Sequence, residues 1–145
     1  MSHHEWYHVM YGIEVPATFI SDEKLFEFVN KHRDIIAEHV NEHNIPTTLD
    51  DIDMWVDEYE DSMGNWGIAA LIGDIIGSRY IDTTHDQYGN DYIGMYAYTV
   101  FPWNNCGDEW KSITPEYVES KIRPIIEELY GECPEFMEHT IWNNG

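Results

Sequence analysis

Tyr7, Val9, Tyr11, Ile13 and Val15 fall on alternate positions of residues 6–15, which predicts a first strand ending at Pro16. Ser21 is placed to cap a helix running to Asn44, with Leu25, Phe28, Val29, Ile36 and Val40 as its apolar stripe and Pro46 as its stop. Ile52, Trp55/Val56, Tyr59 and Met63 then recur at three- and four-residue steps, predicting a second helix with Thr48 as N-cap. The apolar run Trp66 to Ile76 reads as a buried helix, its type blurred by glycines. Residues 79–87 and 91–101 flank the turn signal Tyr88-Gly89-Asn90 and form a predicted hairpin. Thr114 and Pro115 start a last helix whose stripe of Val118, Ile122, Ile125, Ile126 and Leu129 keeps its phase across Pro124 to a stop at Gly131; a kink at Pro124 is expected rather than two helices. A final strand is expected over Phe136 to Trp142.

The order β-α-α-α-β-β-α-β implies an α+β protein: an antiparallel, ferredoxin-like sheet of about four strands packed against helices, with an inserted helical segment. One domain over residues 1–145 fits the length, and no internal repeat or linker divides it.

Charge changes the picture most. The chain carries 28 Asp and Glu against 7 Lys and Arg, a formal net charge of −21. Its 43% hydrophobic and 14% aromatic content still supplies a core, so an acidic disordered chain is excluded. Residues 34–110 hold sixteen acids against Arg79 alone. The densest part is Asp50, Asp51, Asp53, Asp57, Glu58, Glu60 and Asp61, seven acids in twelve residues. Asp50 and Asp51 suit the first turn of the predicted helix, where the dipole favours negative charge. Repulsion between Asp53 and Asp57, and between Asp57 and Asp61, costs a few tenths of a kcal/mol per pair. Stability alone therefore does not account for the cluster, and the seven acids are expected to face a basic partner, with Trp55, Val56 and Tyr59 holding the helix on the body.

Other chemistry is weaker. His39-Val40-Asn41-Glu42-His43 fits the H-x-x-E-H pattern of inverted zinc proteases, and His32, His39 and His43 fall within about 40° on one helical wheel. The pattern has few fixed positions, no further ligand follows, and the imidazoles share the apolar stripe, so they are expected in the core and no metal or other cofactor is expected. The strand Tyr92 to Phe101 has the aromatic character of RNA-recognition strands but lacks their basic residues, so Tyr96 and Tyr98 are expected in sheet packing. Cys106 and Cys133 offer neither a disulfide framework nor a thiolate zinc site. Catalytic motifs such as a nucleophile elbow, a phosphate-binding loop or an EF-hand loop are absent. Nucleic-acid and anionic-membrane binding are disfavoured by the charge. The start of the chain lacks the pattern of a secretory signal and no apolar run is long enough to cross a bilayer, which implies a cytoplasmic protein, here of a bacterial host.

In size and charge the chain resembles phage-encoded inhibitors of host defence, such as restriction antagonists and anti-CRISPR proteins. That resemblance implies a non-enzymatic protein that imitates a nucleic-acid backbone and blocks the basic surface of a nuclease or another nucleic-acid enzyme. An immunity protein against a basic nuclease toxin is the alternative of the same kind. A metal-dependent hydrolase using His32, His39 and His43 is the alternative from a different class.

Overall fold

A computed structural model describes residues 5–99 and 113–144, with the side chains of residues 7–96 and 113–142. Its strands are β1 (Glu5–Glu14), β2 (Asp82–His85), β3 (Asp91–Thr99) and β4 (Met137–Asn144). The helices are α1 (Asp22–Lys31), α2 (Arg33–Ile36), α3 (Ile52–Asp57), α4 (Ile68–Ile76) and α5 (Pro115–Tyr130). The strands form one antiparallel sheet in the order β2-β3-β1-β4, an α+β architecture. No helix among the described residues is long and apolar enough to cross a membrane.

Ile13 pairs with Ile93 and Tyr11 with Met95, and these side chains meet the helices in a core with Phe28, Val29, Leu71, Ile72, Ile122 and Ile126. Gly12 lies opposite Gly94, and a Cβ on either would run into the backbone of the other strand. The pair therefore lets β1 and β3 approach closely, next to a register shift at Val9/Met10. Strand alternation puts His8 and Met10 on the face away from the helices, where Met10 and Ile141 are fully buried and His8 stacks beside Tyr96 at 5.0 Å. The sheet curls enough for the Gln87 amide, just past β2, to donate to the Trp142 carbonyl on β4 (3.2 Å).

Ser21 and Thr114 cap α1 and α5 as the sequence predicts, each accepting from a backbone amide three residues on. α5 runs unbroken through Pro124 to Gly131. The helix predicted from Ser21 to Asn44 does not persist. His32 leaves helical geometry (φ −107°, ψ 15°), α2 follows for a single turn, and Asn41 then caps a short 3-10 turn, Glu42–Asn44. Tertiary bonds explain the break: the Glu128 carboxylate of α5 accepts from His32 Nε2 (3.1 and 3.0 Å), while the Arg33 guanidinium donates to Asn30 Oδ1 and the Pro46 carbonyl.

The acidic helix is also shorter than its periodicity implies. A 3-10 turn, Leu49–Asp51, leads into α3, which ends at Asp57. The chain then reverses through Asp61-Ser-Met-Gly-Asn65, and the same five-residue pattern returns as Asp86-Gln-Tyr-Gly-Asn90 between β2 and β3. In each turn the first Asp accepts from the amides two and four residues on (2.9 and 2.9 Å; 2.8 and 2.9 Å), and the last Asn side chain donates back to it. Gly64 and Gly89 both sit at φ +85°, a left-handed geometry that glycine adopts without cost. Met63, predicted in the buried stripe, rides on the first turn and is 81% exposed.

Candidate partner-binding surface

Ile52, Val56 and Tyr59 are buried and fix the acidic segment on the core, while Trp55 is partly buried and meets Tyr59 edge-on at 5.4 Å. The Tyr59 hydroxyl donates to Asp74 Oδ2 on α4 at 2.6 Å. Burial and the nearby Asp74 and Asp61 carboxylates push that phenol far above its usual range, so it stays a donor. The Tyr59 carbonyl accepts from the Gly67 amide (2.7 Å) and Glu60 bridges to Trp66, which stops the helix and starts the turn.

Asp50, Asp51, Asp53, Asp57, Glu58 and Glu60 are exposed. Asp61 is different: it is partly buried, and its carboxylate is engaged in the turn. Glu60 and Asp61 lie beyond the end of α3, so the expected single helical face of Asp50, Asp53, Asp57, Glu60 and Asp61 becomes a turn, a short helix and a second turn. None of the seven acids pairs with a cation among the described residues. Desolvation by the neighbouring chain, and after it the Asp53 and Glu58 carboxylates, push the exposed Asp57 carboxyl above its usual range.

Apolar side chains border these carboxylates on two sides. A depression of about 400 Å³ is lined by Thr48, Asp51, Met54, Trp55 and Glu58, with Met54 62% exposed. A smaller one of about 210 Å³ is lined by Asp53, Asp57, Leu25 and Phe19, the last 86% exposed.

The structure separates the three histidines. His32 is mostly buried against Phe28 and Glu128, His39 is exposed with Nδ1 3.9 Å from Asp74 Oδ1, and His43 is exposed in a 3-10 turn. His39 and His43 therefore lack the shared helix that a zinc pair at four-residue spacing requires, and neither is in the core. Among the described residues no group of three His, Cys, Asp or Glu is arranged to hold a metal ion. Cys133 is partly buried, and burial raises its thiol pKa. Cys106, the Tyr98 side chain and the expected end of β3 at Val100 and Phe101 lie outside what is described.

Sequence reasoning missed the paired turns, although the D-x-x-G-N pattern stands twice in the chain. Met63 and Trp66, expected in buried helices from their phase, are exposed, and the exposed Met54 and Phe19 carried no signal that sequence reasoning used. Comparisons with family models, with curated proteins and with solved structures find no match for this chain.

Proposed function

We propose that this protein is a small acidic inhibitor that occupies the basic nucleic-acid-binding surface of a nuclease or related enzyme, acting in a bacterial cytoplasm as a phage-type anti-defence factor. The observation that carries the reading is the row of exposed, unpaired carboxylates from Asp50 to Glu60 on a segment anchored by Ile52, Val56 and Tyr59. Six of the eleven residues from Asp50 to Glu60 are exposed acids, and duplex DNA likewise concentrates negative charge, one per about 1.7 Å of axis. Phe19, Met54 and Trp55 beside the acids add contacts that a phosphate backbone lacks, which suits a protein partner and gives specificity beyond charge.

The test is capture of partners from bacterial lysate on the immobilised wild-type protein and on Asp53→Lys/Asp57→Lys/Glu60→Lys, followed by displacement with duplex DNA. The wild type is expected to hold a basic nucleic-acid enzyme that DNA displaces and whose activity the free protein suppresses, and the triple variant to lose it. Equal capture by both proteins would overturn the reading. An immunity protein against a nuclease toxin uses the same surface and is recognised by a toxin as the captured enzyme.

A further inference from the structure

β2 is an outer strand of the sheet, and the bonding along it shows which backbone groups face outward. The Asp86 amide donates to the Asn90 carbonyl (3.0 Å), so Asp86 and Asn90 form a hydrogen-bonded pair at the hairpin end. Antiparallel ladders alternate bonded and non-bonded pairs, which makes His85/Asp91 and Thr83/Ile93 the non-bonded ones. The Asp91 carbonyl agrees, since it accepts from Val15 of β1 on the side away from β2 (2.8 Å). The N–H and C=O of Thr83 and of His85 therefore point outward, and no backbone group among the described residues bonds to them; the next outward amide, Gln87, is taken by the Trp142 carbonyl of β4, so the open edge ends at His85. A cleft of about 760 Å³ runs beside this strand, lined by Asp82, Thr83 and Thr84 on one side and by His39, Asp61 and Asp74 on the other. Asp82, at the start of β2, is partly buried with no hydrogen bond or ion pair among the described residues, and burial raises its pKa.

We propose that the outer edge of β2 is a strand-addition site for an extended, basic peptide segment of a protein partner, seated in the cleft with a Lys or Arg against Asp82. Main-chain bonds to Thr83 and His85 would supply the docking, and alternate side chains the selectivity. Charge complementarity chooses the occupant: the cleft lining carries Asp61, Asp74 and Asp82 against Arg79, an acidic excess, and a cation beside Asp82 would give that carboxylate a partner it lacks among the described residues. An acidic or phosphate-bearing strand would meet repulsion instead. The sign of the partner's charge rests on the acidic-inhibitor reading, but the edge is separate from the Asp50–Glu60 surface.

The probe is the peptide acetyl-Lys-Val-Lys-Val-Lys-Val-Lys-amide, titrated into the ¹⁵N-labelled full chain. Shifts are expected at the Thr83, Thr84 and His85 amides. N-methylation of alternate peptide amides should weaken binding by at least roughly tenfold by blocking ladder bonds, and Asp82→Asn by several-fold. Asp82→Asn removes a charge the fold holds at a cost, so its stability should match or exceed the wild type. Asp53→Lys/Asp57→Lys/Glu60→Lys should leave peptide-induced shifts at β2 in place. No shifts at β2, binding indifferent to N-methylation, or a Glu-Val analogue that binds equally well would each overturn the proposal. If the peptide fails while the triple variant still loses the captured enzyme, the edge assignment falls and the acidic surface stands.

Discussion

α5 and the Asp50–Asp61 segment are both rich in carboxylates, yet they manage that charge in opposite ways. In α5, Arg123 reaches Glu119 at 2.9 Å and Glu127 at 4.0 Å, and Glu128 takes Lys31 at 3.3 Å and His32 at 3.0 Å. Tyr11 also donates to Glu119 across to β1 (3.0 Å). Glu119 and Glu128 thus tie the helix to β1 and to the end of α1, while the Arg123 pairs lie within α5. From Asp50 to Glu60 no cation intervenes, every carboxylate faces water, and Asp57 carries the repulsion of Asp53 and Glu58. The α5 acids are explained by folding. The Asp50–Glu60 acids oppose it slightly, a local conflict that the proposed partner surface would account for.

The comparison breaks most visibly at the anchor. Tyr59→Ala removes a buried ring and the bond to Asp74, and should cost about 3–5 kcal/mol in urea unfolding. A loss under about 1 kcal/mol would mean that the segment is not held on the core. On the α5 side, Arg123→Ala strips two ion pairs and the stacking of the guanidinium on Phe136 (5.1 Å), and should cost about 1 kcal/mol, less at high salt. The smallest effect has the opposite sign. Asp57→Asn should stabilise the fold by a few tenths of a kcal/mol at neutral pH. The folded-state pKa of Asp57 is raised, so its penalty is absent at acid pH and grows as pH rises through its titration. The advantage of the Asn variant should therefore vanish toward about pH 3 in unfolding measured against pH. A uniform gain at every pH would show that charge is not its source.

The same contrast separates what was legible in the chain from what was not. Alternation in β1, the aromatic run of β3 and the caps Ser21 and Thr114 are local signals, and they located their elements within a few residues. The helix break at His32 was hidden because Ile36 and Val40 pack on the core whether the chain is helical or turned, and the bonds that turn it come from Glu128 and Pro46. The end of α3 was hidden in a similar way. Met63 kept helical phase, but the Asp61–Asn65 turn satisfies three donors at once and wins. Among the acids, exposure could be inferred from charge, whereas the structural duty of Asp61 could be read only by matching it to Asp86 in the second turn.

The most direct measurement is the association rate of the captured enzyme, against salt, for two variant sets that shift net charge equally: Asp53→Lys/Asp57→Lys/Glu60→Lys, and Glu116→Lys/Glu127→Lys/Glu132→Lys around α5. If the Asp50–Glu60 surface is the binding face, the first set should slow association by about one to two decades at low salt, and the second by no more than about threefold. Equal slowing by both sets would show that overall charge, not this surface, governs the encounter, and would contradict the account.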